Sequence, residues 1–475
     1  MNTIFDRLWD QGMPQAMQPR TRQRARDLAT GLLNCAGKRT ITGLLCGSGR
    51  QFTDWSAAYR LFSQQRVDPQ RLLDVSLRQT IDMLPDDGLL VAHLDDTLLR
   101  KTGRKIPGAK WRRDPLGPPF HTNFIWGQRF VQFSLACPQG SGACRARAIP
   151  VSFTHAPSPV KPGKSAPAEQ WEHYRSCLAE SKLTRVGRQG LAQLRQRADQ
   201  AGAASRHLLV SVDGGYTNKE VVKHLPERTT IVGRLRKDAK LYRPAGGQPP
   251  TGRRRVYGQQ LPTPEQLRQD ETIAWQCVKG FAAGREHDFD VKIMKPVLWR
   301  PAGGAHTLQL IIIRPLGYRL SKSSKILYRE PAYLICNDLQ QSIQTILQAY
   351  LWRWEIEVNF RDQKTVMGCG QAQVRNPHSA ESVPGFVTGV YSLLLCAAER
   401  ARRDTVTANL PRTKWYPVKP SERWTTGDIC NRFRAEEYAS SIGWSFSGFA
   451  AKQRQQQTCK KRTNPAISAL INVRY

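Results

Sequence analysis

Apolar and polar positions change period several times along the chain. Up to about residue 85 the spacing is helical. From Arg20 to Asn34 (RTRQRARDLATGLLN) a basic start gives way to apolar residues at helical intervals. Phe52, Trp55, Tyr59 and Phe62 recur at i, i+3, i+7 and i+10, a stripe predicted to face the core. From about residue 86 strand patterns take over, with Leu89–Leu94 and His207–Val212 as apolar runs. Phe120–Phe133 and Ala148–Phe153 read as strands of a meander. His155–Ala168 is rich in Pro, Gly and Ser and reads as a loop, and Gln170–Ala201 reads as a long charged helix.

Short β-type runs follow at Thr229–Arg234, Thr272–Val278, Val291–Ile293 with Pro296–Trp299, and Thr307–Ile313. A Pro/Gly/Arg-rich loop, Arg243–Gly258, lies among them. Val383–Arg400 is strongly apolar and is predicted as a buried helix, too short and interrupted to span a bilayer. Asn409–Ser421 reads as a Pro-rich linker, and 422–475 as a helical, basic tail that includes Lys460, Lys461 and Arg462.

Candidate chemistry sits where the pattern delivers acids. The first apolar run leads into Asp95–Asp96–Thr97 and the second into Asp213–Gly214–Gly215–Tyr216. Neighbours in a strand point to opposite faces, so only one of Asp95 and Asp96 is expected to reach a shared site. Asp95 is slightly favoured, and both stay candidates. In AYLWRWEIEVNFRDQK, read as one helix, Tyr350, Arg353, Glu357 and Lys364 fall at about 0°, 300°, 340° and 320°. A carboxylate, two cations and a phenol on one stripe suit metal and phosphate better than a core. Taken singly, each element has a plainer explanation: a turn-forming Asp, or an i,i+4 ion pair between Arg353 and Glu357. The ordered set points instead to carboxylates that hold divalent cations for phosphoryl chemistry.

Charge strengthens that reading. The chain has 72 Lys+Arg against 38 Asp+Glu, a formal +34, which calls for a polyanionic partner. Arg20, Arg22, Arg24, Arg26, Lys38, Arg39 and Arg50 give the N-terminal region a basic face. A second basic stretch follows the first acids, with Lys101, Arg104 and Lys105 placed where DNA phosphates would pass; a solvated hairpin is the alternative. The 11 cysteines include no C-x₂-C pair, so reduced thiols are expected rather than a zinc site. The opening MNTIFDRLWDQGM has no apolar leader core, so a cytoplasmic, nucleoid-associated protein without a membrane segment is expected.

The ordered set D(D)T … D-x-G-[FY] … Y-(2)-R-(3)-E-(6)-K resembles the DDE transposases of bacterial insertion sequences, except that Gly also follows Asp213. The resemblance implies an α/β fold. Its RNase H-like mixed-sheet core would be interrupted by an all-β insertion and flanked by a helical N-terminal domain and a helical C-terminal tail. The implied division is 1–85 for DNA binding, 86–225 and 335–405 for the catalytic core, 226–334 for the insertion and 406–475 for the tail; the 143 residues between Asp213 and Glu357 leave room for such an insertion. It also implies that Asp95 or Asp96, Asp213 and Glu357 are catalytic and hold Mg²⁺, with Mn²⁺ able to substitute. Tyr350, Arg353 and Lys364 would bind phosphates. Trp299 would stack on a flipped base, with β-core packing as its alternative role. Partners would be double-stranded DNA, as terminal inverted repeats and as target, and a second copy of the chain in a synaptic dimer. A nuclease of the same fold and a catalytically silent DNA-binding protein are the alternatives.

Overall fold

In the computed structural model, which describes residues 1–475 except 87, 115–116, 119, 248–250, 303–305, 320–322, 405–408, 413–422, 460–461 and 474–475, the first 85 residues form α1 (Asn2–Gly12), α2 (Pro19–Asn34), α3 (Ile41–Gly47), α4 (Ser56–Ser63) and α5 (Pro69–Asp82). Local chemistry starts several of them. Pro19 and Pro69 stand in the first turns of α2 and α5, where a missing N–H costs nothing. The Thr40 hydroxyl accepts from Gly43 N at 3.2 Å, and Asp68 Oδ1 from Gln70 N at 2.9 Å.

Next come β1 (Leu90–Arg100), β2 (Lys110–Arg113), β3 (Phe124–Pro138), β4 (Ala146–His155), α6 (Ala168–Glu180), α7 (Leu183–Ala198) and β5 (Leu208–Val212). α8 (Lys219–Val222) follows, and from the start of the region predicted as an insertion come β6 (Thr229–Arg234), β7 (Leu241–Pro244), β8 (Tyr257–Gln260), α9 (Pro264–Gln269), β9 (Gln276–Ala282), β10 (Arg285–Trp299), β11 (Leu308–Ile313), β12 (Gly317–Tyr318), β13 (Leu327–Tyr328) and β14 (Ala332–Cys336), the last reaching just past its end. The chain ends with α10 (Ile343–Trp352), α11 (Trp354–Thr365), α12 (Pro377–Asp404), α13 (Thr426–Ser441), α14 (Phe446–Thr458) and α15 (Pro465–Ile471).

One mixed sheet runs through the molecule in the order β2-β3-β1-β5-β6-β14-β11-β10-β7-β8, with β4 on β3 and β9 on β10. β1, β3 and β4 form an antiparallel meander, while β5 lies parallel to β1 and β6 parallel to β5. This mixed α/β arrangement is consistent with an RNase H-like core. β5 is buried along its whole length, as a parallel strand covered on both faces must be. One face carries Leu90, Ala92, Leu94, Val210 and Val212 beneath Leu191 and Leu194 of α7. The other carries Val91 and Leu209 beneath Ile346, Leu347 and Ala349 of α10.

The predicted all-β insertion differs from expectation in two ways. It contains α9, whose Thr263 and Gln266 form a reciprocal capping box. Its strands also continue the core sheet, because β6 leaves an open edge that β14 fills antiparallel, pairing Leu334 with Arg234.

The N-terminal helices share a core with α12 and α13. Trp9 and Phe62 set their rings edge-on to Phe386 at 6.1 and 5.4 Å, and Phe5 does so to Phe433 at 5.6 Å. The aromatic stripe predicted for this core is mostly outside it. Phe62 is buried, but Phe52 is 93 % exposed and Trp55 and Tyr59 are on the surface. For Phe52 the reason is local: α4 begins only at Ser56, so the helical spacing does not extend back to it; within α4 the buried face is Ala58, Leu61 and Phe62, which leaves Tyr59 outside. The 28-residue helix α12 is long and apolar enough to cross a membrane by composition, yet 89 % of its apolar stretch is buried within the protein. Most of the predicted Pro-rich linker and Lys460–Lys461 lie outside the described residues.

Candidate functional site

β1 continues to Arg100, so Asp95 and Asp96 lie inside a strand rather than at its end. Their position is still special. The parallel pairing of β1 with β5 stops at Leu94–Val212. One residue beyond it come Asp95 on β1 and Asp213, where the chain leaves β5. On the other side β1 stays paired with β3, Asp95 opposite Gln132 and Asp96 opposite Val131. The acids therefore sit where a rigid strand runs past the end of its parallel neighbour.

The segment read as one helix is two. α10 ends and α11 begins at Arg353, whose backbone keeps helical angles (φ −54°, ψ −31°). The junction preserves the stripe across the break. The Arg353 guanidinium lies 5.9 Å from the Tyr350 ring centre. Its Nη2 donates to Glu357 Oε1 at 2.9 Å, and its Nη1 to Asp95 Oδ2 at 3.0 Å. One cation thus bridges the first-strand acid and the helical acid.

Asp96 leaves β1 on the other side. Its Oδ1 accepts from the Tyr216 hydroxyl at 3.2 Å, and Arg129 Nε stands 3.4 Å from its Oδ2. Tyr216 itself is held beneath Leu94 against α7, where a side chain at Gly187 would collide with the phenol ring. Arg129 and Tyr216 were not among the residues picked out as functional from sequence. Tyr216 carried a signal, its place in the D-G-G-Y run; Arg129 carried none.

Burial dominates the electrostatics. It pushes the Asp95 carboxyl up to about 7 against the opposing pull of Arg353, with Asp96 and Asp213 adding to the rise. Burial raises Asp96 as well, opposed by Arg129, and Asp213 again contributes. Asp213 is therefore the acid whose charge both neighbours feel. His93, also on β1, is fully buried and held neutral, its pKa down to about 3 through burial and then the Arg353 charge. Its Nδ1 lies 2.6 Å from Ser211 Oγ, locking β1 to β5 two residues before the acids.

The remaining candidates divide. Burial lowers Lys364, while the charges of Cys369, Asp114 and Asp96 pull it back up, and its ammonium lies 6.0 Å from the Phe360 ring centre. Arg104 and Lys105 are exposed, and Arg104 packs over Trp111 and Trp126 at 4.6 and 5.3 Å. Lys101, predicted to face DNA, is instead buried and donates to Gly370 O and Ala372 O at 3.0 and 2.8 Å. Those carbonyls face inward after α11 and need a donor, so Lys101 ties β1 to that loop. Trp299 is partly buried, packs against the sheet core, and pairs with Leu241 across β10 and β7. In the N-terminal basic face, Arg39 is buried, Arg26 pairs with Asp6 and Arg50 with Asp27, leaving Arg20, Arg24 and Lys38 exposed.

Among the described residues no three His, Cys, Asp or Glu side chains converge as they stand on one cation position. The donor set nevertheless fits a hard divalent cation. Asp95, Asp96, Asp213 and Glu357 offer only oxygen, and burial leaves Asp95 and Asp96 short of neutralising charge. Arg353 supplies a single positive charge to two carboxylates, Asp95 and Glu357.

A family model described as DDE superfamily endonuclease matches residues 13–304. The match takes in Asp95, Asp96 and Asp213 and stops short of Tyr350, Arg353, Glu357 and Lys364. No curated protein matches the chain at a significant level.

Proposed function

Since the chain belongs to the DDE superfamily endonucleases, we propose that it is the DNA transposase of an insertion sequence, cutting the element's ends and joining them to target DNA. The observation that carries this reading is the bridge from Asp95 through Arg353 to Glu357. It brings an acid from the first strand and an acid 262 residues later onto one guanidinium. The Y-(2)-R-(3)-E-(6)-K spacing and the +34 charge support it.

Asp95, Asp213 and Glu357 are the residues that would hold Mg²⁺ or Mn²⁺, with Asp96, on the opposite side of β1, as the alternative first acid. Such a cation supplies Lewis acidity to a phosphodiester and makes bound water more acidic. The chain's own groups do the rest. Arg353, once relieved of its two carboxylates, offers a planar fork that matches a phosphate oxygen pair. Lys364 adds a point charge near the first acids. Tyr350, half-buried beside Arg353, lines the same approach. His93 stays neutral and keeps the acid-bearing strand in register. Hydrolysis at the element's end leaves a 3′-OH, which then attacks target DNA in the same site, with no covalent protein–DNA link. Two ends require two copies of the chain, so a dimer on DNA is part of the proposal.

The test is a reaction with Mg²⁺, labelled element ends and a target plasmid, using wild type and Glu357→Gln. Cleavage and joining by wild type alone support the assignment. Cleavage without joining favours the endonuclease reading that the family description carries. DNA binding by both proteins with neither reaction removes the catalytic reading.

A further inference from the structure

The inner face of α11, the helix that carries Glu357, is largely polar. Its buried side chains are Ile356, Asn359, Phe360, Asp362 and Gln363, three of them polar. Asn359 and Gln363 stand one turn apart, about 200° and 240° round the helix from Glu357. They meet Gln132 and Ser134 of β3, which are fully buried. Gln363 Nε2 donates to Gln132 Oε1 at 2.8 Å, and Gln132 Nε2 to Ser134 Oγ at 2.9 Å. Ser134 Oγ and Gln132 Nε2 both donate to Asn359 Oδ1, at 3.1 and 3.4 Å. Asn359 Nδ2 donates to Ala148 O of β4 at 3.1 Å. Among the described residues, none of these four side chains leaves a buried polar atom without a partner.

The place of these bonds in the sheet links them to the acids. In the β1–β3 register Gln132 lies directly opposite Asp95, and Ser134 opposite His93. Residues directly opposite across an antiparallel pair leave the sheet on the same face. The amides thus fasten α11 to the rung of the sheet that carries the first acid. Arg353 ties the start of α11 to Asp95, and the amides hold the helix beyond it. Energy alone does not call for polar groups here. A buried hydrogen bond replaces bonds to water and adds little net stability, and apolar side chains of the same shape would serve as well. An apolar face, however, tolerates small slides and turns over a sheet. Paired amides one helical turn apart are satisfied at one rotation and one height.

We propose that Gln132, Asn359 and Gln363 are positioning residues, which set the rotation and height of α11 so that Glu357 is presented to the cation site beside Asp95. The proposal rests on the reading of Asp95, Asp213 and Glu357 as cation ligands. It adds that the third acid is placed by a buried polar network and not by the packing of an apolar stripe.

The test uses the full chain with Gln132→Met and Gln363→Met together. This pair removes the bond between the two amides at nearly constant side-chain length, and Ser134 still donates to Asn359. Urea unfolding should give a midpoint at or above that of wild type. Mn²⁺ binding without DNA, followed by electron paramagnetic resonance, should weaken at least about tenfold, as when groups that orient a metal ligand are lost. Glu357→Gln should weaken it too. Added to the two methionines, Glu357→Gln should cost nothing further, because a misplaced ligand no longer contributes; independent sites would add. A double variant that unfolds or loses stability, one that keeps wild-type Mn²⁺ affinity, or losses that add would each overturn the proposal. If Glu357→Gln weakens binding and the double variant does not, the positioning role falls and the cation reading stands. If wild type binds no Mn²⁺, or Glu357→Gln binds it equally well, the cation reading falls and the proposal with it.

Discussion

Replacing Asp95 by Asn should stabilise the metal-free protein, and the size of the effect follows from the site. Asp95 is 19 % exposed, and burial lifts its carboxyl to about 7 from the ordinary 3.8. A raised acid binds its proton more tightly in the folded state. Its contribution is thus fully present below the unfolded pKa and is lost as pH rises through the folded one. The window runs from about 4 to 7, and a shift of roughly three units at about 1.4 kcal/mol each gives a cost near 4 kcal/mol above it. Asn carries no charge and avoids that cost. At about 2.1 cal/mol/K of unfolding entropy per residue, the 475-residue chain should gain about 4 °C in Tm near pH 8 if it unfolds as one unit. Near pH 5 the gap should shrink to about half or less. Thermal melts of both proteins in chelator at the two pH values measure this. Mg²⁺ should then raise the wild-type Tm and raise the variant's less, since binding to the folded state stabilises it by mass action. A variant no more stable than wild type near pH 8, or a gap independent of pH, would refute a desolvated carboxylate at this position.

Other consequences can be checked independently. Arg353→Ala should weaken binding to DNA ends by about tenfold or more, as expected for a lost bidentate contact, while Mg²⁺-induced stabilisation persists; full strand transfer by that variant would count against its phosphate role. Arg147 and Glu399 form a buried pair, 5 % and 2 % exposed, so Glu399→Gln should cost about 3–5 kcal/mol in urea unfolding. Because Arg147 helps hold Glu399 below its ordinary range, with burial opposing, the pair's contribution should fade as pH drops below the carboxylate range. Phe62→Ala should cost about 3–5 kcal/mol and Phe52→Ser less than about 0.5 kcal/mol; similar losses from both would return the whole aromatic stripe to the core. Salt titration of DNA binding should show a steep negative slope, reduced by about one for loss of a single phosphate contact such as Arg104.

Much of the candidate site is legible in the sequence because its signals are local. Acid-bearing strands announce themselves as apolar runs ending in D-D-T or D-G-G-Y, and a four-residue step from Arg353 to Glu357 needs only helical geometry. The break between α10 and α11 escaped notice since Arg353 keeps helical angles. Lys101 was misplaced because nothing in its basic neighbourhood reveals the two carbonyls, at Gly370 and Ala372, that bury it. The aromatic stripe misleads at Phe52 because spacing predicts a shared face only where the helix extends, and α4 starts after it; at Tyr59 because α4 buries Ala58, Leu61 and Phe62 instead.

Sequence by itself determined the polyanion-seeking charge, the candidate acids and the order of strands and helices that presents them. These follow from composition and from periods of two and 3.6, which each stretch of chain carries alone. Only the tertiary structure decided which acid meets which partner. Asp95 reaches Arg353 because β1 outruns β5, and Asp96 turns to Arg129 and Tyr216 because alternate residues leave a strand on opposite faces. It also decided that the residues after Asp213 extend the core sheet, since an open edge at β6 must be paired and the strand that pairs it, β14, lies almost a hundred residues further on. Such contacts join residues too far apart in sequence for any local pattern to encode.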